Sequence, residues 1–308
     1  MIEFENPNIT FIGVGNVTTD QLVPSIRILE AAARNCYKSN RCDTLQQAKS
    51  FLANISQKGH TSILEHIQAT YKIPAKDFKD VWDLLTRMNR YKWFDINFNH
   101  NYVFLSGNVR TFYETILLFT ENNVHNINET LYSIFSHFTL DLFDFLFDES
   151  IRLNFTGNYT DYFVDNLNEI PKELYRLIFY VRIDRATSME WNRHRTLSIS
   201  QESQRYVKYD SNGFRFMYID EFANSEVIDH KITTFAKYAA DLYTDLRTNY
   251  KPEIARAVLP NFTMSSVYYS GLIPYWQHFI KLRDASNAHP HIQYFAKEVR
   301  KHIEQILK

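Results

Sequence analysis

Between positions 193 and 206 the chain reads Arg-His-Arg-Thr-Leu-Ser-Ile-Ser-Gln-Glu-Ser-Gln-Arg-Tyr. Arg193, Arg195 and Arg205 are permanent charges and His194 is an imidazole, interleaved with Ser198, Ser200, Gln201, Glu202 and Ser203. A guanidinium offers paired N–H donors that match phosphate or carboxylate oxygens, each charge-assisted bond contributing about 1.5–3 kcal/mol. A nucleotide phosphate suits such a segment. Local charge alone does not decide, because charged clusters are usually solvated loops or internal ion-pair knots.

The order of residues is more telling. Arg193-His194-Arg195, followed after seven residues by Ser203 and closed by Arg205-Tyr206, resembles the signature of flavin-dependent thymidylate synthases. Three further stretches are similar to that family. Gly59-His60-Thr61-Ser62-Ile63-Leu64-Glu65-His66 looks like its Gly-His-x-Ser/Thr-x-x-Glu-His segment, and Ala255-Arg256-Ala257-Val258-Leu259-Pro260 like its Ala-Arg-x-x-Leu-Pro turn. Leu282-Arg283 with Ala288-His289-Pro290 resembles its C-terminal Leu-Arg helix.

The resemblance implies conversion of dUMP to dTMP with FAD as cofactor and with NADPH and methylenetetrahydrofolate as co-substrates. It places FAD at Arg193, His194 and Arg195, with Ser62 reaching in from a neighbouring subunit and His60 and Gln201 beside them. It places dUMP, chiefly its phosphate, at Glu202, Ser203, Gln204 and Arg205, with Glu190, Arg193, Gln201 and Arg256 as further contacts. Arg283 matches the catalytic arginine. A fixed positive charge beside a pyrimidine stabilises negative charge developing at N3 and its carbonyl, making the carbon to be methylated more nucleophilic. The implied assembly is a homotetramer whose active sites span subunit boundaries.

The match covers roughly residues 25–74 and 176–300, leaving 75–175 as a helical insertion relative to compact members. Glu190 and Gln201 stand where compact members have Gln and Glu. Leu272, Ile273 and Pro274 replace an Asn-x-Arg that touches FAD, and Asn287 replaces a histidine; Trp276, His278 and Asn287 are the candidates to compensate. Two other functions share these residues. One is a sister enzyme transferring a different one-carbon group, such as hydroxymethyl, to a pyrimidine nucleotide. The other is a nucleotide- or RNA-binding module without catalysis.

No cysteine nucleophile is needed in this chemistry. Cys36 lies on a predicted apolar helix face with Ile28, Leu29, Ala32 and Ala33, where a thiol is usually inert packing. Ser203 has no identifiable base beside it and reads as a binding residue. Gly13-Val14-Gly15 hints at a dinucleotide turn, but Thr18 occupies the third glycine position and no acid follows between Ala31 and Arg41. The pairs His60/His66 and His289/His291 lack the spacing of a helical metal motif, so no metal is expected.

Bulk composition agrees with an ordinary enzyme. The 308 residues are 45% hydrophobic, enough to bury a core, and 34 Lys and Arg against 35 Asp and Glu leave no field to attract nucleic acid. Two cysteines without paired spacing fit a reducing cytoplasm. The acidic N-terminus does not read as a signal peptide, and Leu140 to Phe147, the most apolar stretch, is interrupted by Asp141 and Asp144. A soluble, cytoplasmic protein is expected, and Asn128-Glu129-Thr130 and Asn154-Phe155-Thr156 then carry no glycan.

Helical periodicity positions these residues. Leu45, Ala48, Leu52 and Ile55 share a face that Gly59 should terminate. Ser62 and Glu65 fit a capping box. Ile67, Ala69, Tyr71 and Ile73 alternate as a half-buried strand ending at Pro74, and Leu177, Phe179, Val181 and Ile183 form a second. Between them residues 75–175 read as mostly helical, with faces such as Phe78, Val81, Leu85 and then Leu131, Ile134, Phe138. Ile232, Phe235, Ala239, Leu242 and Leu246 mark a long helix, and Ile292, Phe295, Val299 and Ile303 the last one. The expected architecture is a single α+β domain over 1–308, mostly helical with a small antiparallel or mixed sheet and the helical insertion at 75–175.

Overall fold

The computed structural model describes residues 2–122, 127–157, 159–218 and 225–308. Strands are β1 (Ile2–Glu5), β2 (Asn8–Val14), β3 (Gln68–Pro74), β4 (Asp95–Asn99), β5 (Tyr102–Asn108), β6 (Arg176–Asp184), β7 (Ser198–Gln201), β8 (Phe214–Met217) and β9 (Met264–Leu272). Helices are α1 (Leu22–Tyr37), α2 (Leu45–Gln57), α3 (Ala75–Arg87), α4 (Val109–Glu121), α5 (Glu129–His137), α6 (Glu149–Leu153) and α7 (Arg185–Trp191), then α8 (Tyr209–Asn212), α9 (Glu226–Arg247), α10 (Pro252–Ala255), α11 (Ile273–Arg283) and α12 (Pro290–Leu307). The chain is α+β, mostly helical around small sheets. No helix among the described residues is long and apolar enough to cross a membrane.

An antiparallel sheet ordered β2-β6-β9-β7 forms the centre. Leu177, Phe179, Val181 and Ile183 alternate along β6 as expected and bury one face against Trp276 and Phe279 of α11 and Ile292, Phe295 and Val299 of α12. Ile178 points the other way, into a larger cluster with Ile26 and Leu29 of α1 and Leu64. Both faces are closed. Gly13 sits at the bulge where the β2–β6 register shifts, with φ 148°, and at Gly15 a Cβ would stand 2.6 Å from the His66 carbonyl. The Gly-Val-Gly run therefore serves a bulge and a close backbone crossing.

The 75–175 region is mostly helical, as expected, but it also contains two strands. β4 and β5 form a hairpin that adds to β3 as an antiparallel sheet ordered β3-β5-β4. β3 is also not half-buried: Ala69, Tyr71 and Ile73 enter the large core, while Gln68 and Thr70 are buried on the opposite face and hydrogen-bond Ser106 at 2.7 Å each. Phe112 of α4, Phe135 of α5 and Phe138 just beyond it are fully buried in the core.

Two local expectations need correction. Ser62 and Glu65 make no capping box, because Thr61–His66 is a 3-10 turn without a side-chain cap and Glu65 is held by Arg110 at 2.7 Å. The box forms earlier, at Thr44 and Gln47 ahead of α2, and Gly59 beyond that helix takes φ 85° as expected. In α9 the buried stripe is Ala236, Ala239, Ala240 and Tyr243, while Phe235 is 50% exposed.

Candidate active site

α11 ends at Arg283, and α7 is followed at once by the Arg193-His194-Arg195 turn; the two elements meet because both pack through Trp191, Trp276 and Phe279. Arg283 Nε donates to His194 Nε2 at 2.8 Å, Nη1 to the Glu190 carboxylate at 3.2 Å, and Nη2 to the Glu190 carbonyl at 3.1 Å. A protonated imidazole could not accept the first of these bonds. Burial, then the Arg283 charge, then His278 push the His194 pKa down to about 4, so the ring stays neutral. Three of the five guanidinium N–H groups are thus spent within the chain, leaving two for a ligand.

His278 is exposed, with its ring 6.3 Å from that of His194. Arg193 and Asn287 are also exposed. Trp276 is buried in the second core and donates to the Leu177 carbonyl at 3.2 Å, which removes it from any ligand-facing role. A cavity of about 560 Å³ opens beside Glu190, between Thr187, Met217, Asn261 and His289.

The motif then enters β7, an edge strand fixed by pairing with β9. Gln201 is saturated inside the fold: its amide nitrogen donates to Ser188 and Ser265, and its oxygen accepts from Asn192. Glu202 is buried, with its carboxylate held by Lys38 at 3.0 Å, the Tyr209 hydroxyl at 2.8 Å and the Ser266 hydroxyl at 3.0 Å. Burial and then this carboxylate raise the Tyr209 pKa well above its ordinary value. As an anion already paired, Glu202 orders the loop; a direct contact to a phosphate would be repulsive.

Of the next residues, Ser203 is half-buried and Gln204 buried, while Arg205 and Tyr206 are exposed. The Ser203 backbone N–H donates to the Cys36 carbonyl at 3.0 Å, and its hydroxyl accepts the Arg205 N–H at 3.3 Å. The buried Gln204 amide nitrogen has no hydrogen-bond partner among the described residues. Arg205 is exposed, 5.5 Å from the Tyr206 ring. Tyr37 of α1 lies 5.2 Å from Tyr206 and 6.5 Å from His60, so the 59–66 segment and the end of the motif form one aromatic shelf, with Ser62 exposed in the same segment. Arg256, in the turn after α10, is half-buried. Among the described residues no hydrogen bond or ion pair ties Glu202, Ser203, Gln204, Arg205 or Arg256 to Arg283.

Cys36 behaves as packing: its thiol donates to the Ala32 carbonyl and burial pushes its pKa up to about 11. His66, in the 59–66 segment, lies between the Ser270 and Ser200 hydroxyls at 2.9 and 2.8 Å, and burial lowers its pKa to about 3. Among the described residues no three His, Cys, Asp or Glu side chains gather as a metal site. Two important cations escaped sequence reasoning. Lys38 was invisible because its partner lies 164 positions away, whereas Arg176 carried a signal, a charge opening the apolar run Leu-Ile-Phe-Tyr-Val.

Residues 104–307 match the family described as thymidylate synthase complementing protein. The chain is 30% identical over 161 residues to the probable flavin-dependent thymidylate synthase of Mycobacterium phage D29, covering 48% of this chain and 68% of that one. It is 32% identical over 143 residues to the flavin-dependent thymidylate synthase of Mycobacterium tuberculosis, covering 42% and 57%. The Pyrobaculum aerophilum enzyme of the same name is 36% identical over 85 residues, covering 28% and 31%. The matched segments thus span between about a third and two thirds of these relatives' lengths. With two thirds of its length inside the family match and its distant motifs joined at Arg283, the chain belongs to the flavin-dependent thymidylate synthase family.

Proposed function

We propose that this protein converts dUMP to dTMP, taking the carbon from methylenetetrahydrofolate and reducing equivalents from NADPH through bound FAD. The observation that carries this reading is the Arg283 guanidinium, fixed by neutral His194 and by Glu190 with two N–H groups to spare. Beside a pyrimidine those groups stabilise charge developing on N3 and its carbonyl. The arginine is held before substrate arrives, so little reorganisation is needed.

The residues present fit a flavin dinucleotide. Arg193 and Arg195 are exposed on the turn after α7, and Arg195 borders a polar pocket with more cations than carboxylates. Arg193, His194 and Arg195 would hold the cofactor, with Ser62, His60, Gln201, His278 and Asn287 as further candidates. Gln201 acts by fixing Asn192 and β7. When bound, the flavin supplies hydride and mediates transfer of the one-carbon unit; the chain binds, orients and polarises.

For the nucleotide, Ser203 and Arg205 offer a hydroxyl and an exposed guanidinium, with Gln204 buried between them and Arg256 as a further contact, while Glu202 anchors the loop from behind. No hydrogen bond or ion pair among the described residues links them to Arg283, which fits a site in which one subunit supplies Arg193, Glu190 and Arg283 and another supplies 203–205. Exposed Val227, Ile228, Phe235 and Tyr238 on α9 are the apolar surface such a homotetramer would bury. Purified protein should show a flavin absorbance spectrum, and mass spectrometry after incubation with dUMP, methylenetetrahydrofolate and NADPH should find dTMP. A hydroxymethylated product would replace this reading with that of a sister enzyme, and a colourless protein with salt-dependent RNA affinity would end it.

A further inference from the structure

The inserted hairpin faces the Arg195 turn across a pocket of about 340 Å³. Five cationic side chains, Arg90, Lys92, Arg110, Arg176 and Arg195, line it against Glu65, Asp95 and Glu114. The carboxylates are already engaged. Arg110 reaches Glu65 at 2.7 Å and Glu114 at 2.6 Å, Arg90 lies 4.0 Å from Glu114, and Asp95 accepts the Tyr275 hydroxyl at 3.0 Å. Among the described residues, Lys92, Arg176 and Arg195 have no carboxylate within ion-pair distance.

Arg176 is the unusual member. It is 3% exposed, yet its side chain meets only neutral oxygens: Gln68 at 3.0 Å, Ser198 at 3.3 Å and Ser270 at 3.5 Å. Its Nη2 has no hydrogen-bond partner among the described residues. A buried guanidinium without a counter-ion is costly unless an anion offsets it. Asp95 and Glu65 act on it only at longer range, and burial lowers its pKa. Trp93, 54% exposed on the inserted side, adds an aromatic face at the rim.

We propose that this pocket receives the ADP half of a dinucleotide, with the diphosphate on Arg176, Lys92 and Arg195, so that the insertion completes a cofactor site. The inference rests on the flavin-dependent reading for its ligand. Tyr275, at the start of α11, lines this same pocket, and positive charge reaches it from β6 and from the segment ahead of β4. FAD and NADPH share this chemistry, and the binding arms separate them.

Full-length protein stripped of flavin is titrated with ADP, FAD, FMN and NADP⁺. Lys92→Gln, on an exposed side chain that the fold does not need, should weaken ADP binding by about tenfold, the equivalent of one charge-assisted bond. Trp93→Ala should do the same, Arg176→Lys should lose less than Arg176→Gln, and FMN affinity should stay within about twofold. Arg176→Gln strips a buried network and is read only if its thermal unfolding remains cooperative; Lys92→Gln and Trp93→Ala carry the test otherwise. A loss confined to FAD assigns the pocket to the flavin, and one confined to NADP⁺ assigns it to the reductant. Unchanged ADP, FAD and NADP⁺ affinities in Lys92→Gln, Trp93→Ala and Arg176→Lys would overturn the proposal. Wild-type protein that binds ADP through these residues but no flavin would leave the pocket standing and refute the flavin-dependent function.

Discussion

Arg283, His194 and Glu190 illustrate how protonation state and geometry depend on each other. The His194 and His66 pKa values are both depressed below the ordinary histidine value, to about 4 and about 3. As pH falls from 6.5 the unfolded chain binds protons that the folded chain refuses, so stability declines toward pH 4 and is already complete above 6.5. Unfolding by denaturant should show a loss of up to about 1.4 kcal/mol per pH unit for each histidine in that window. A flat profile would mean that the rings are protonated in the fold. At Glu202, the Gln substitution leaves Lys38 without its counter-charge and should cost about 1–3 kcal/mol, measured by the same method. Cys36→Ser should leave dTMP formation unchanged, because a thiol with its pKa near 11 is not a nucleophile at neutral pH. The Arg193-His194-Arg195 turn stands out in the sequence because its charges adjoin, and the structure brings its His194 to Arg283. Distant partners leave no such mark: nothing near Gln201 and Glu202 in the sequence announces that Asn192, Ser188, Lys38 and Ser266 engage them.

Elements were legible in proportion to how periodic their burial is. α2 and α12 follow their patterns because each packs one continuous face against a core, and β6 because its alternate residues enter one core while Ile178 enters the other. The β4–β5 hairpin was missed because its apolar residues divide between two cores, Phe94 against Phe112 of α4 and Phe104 in the cluster under β6; α9 was found as a helix, but its buried face is set by Ala236, Ala239, Ala240 and Tyr243, with Phe235 outward. The hairpin is tightly packed: a Cβ at Gly107 would meet the Phe94 and Phe112 rings at 3.0 and 3.1 Å. At Gly15 the obstacle is backbone, the His66 carbonyl, which cannot swing aside as a side chain can. Gly15→Ala should therefore cost about 1–3 kcal/mol in thermal unfolding, and a stability equal to wild type would show that β2 does not cross the 59–66 segment so closely.

At the scale of the whole molecule, one chain joins Glu190, His194 and Arg283, shows no hydrogen bond or ion pair from Arg205 or Arg256 to them among the described residues, and leaves apolar side chains of α9 exposed. Nothing in a single sequence distinguishes a side chain serving its own subunit from one serving a neighbour, since both are equally exposed in isolation. Light scattering should report a tetrameric mass, and Phe235→Asp with Tyr238→Asp should shift it toward smaller species; a monomeric wild type would remove the shared-site explanation for Arg205. The most direct test is at Arg283, by comparing Arg283→Ala with wild type for turnover of dUMP and for bound flavin. Losing a preorganised donor of this kind should reduce dTMP formation by about 100-fold or more while the flavin spectrum persists. Near-normal turnover in Arg283→Ala would contradict the account.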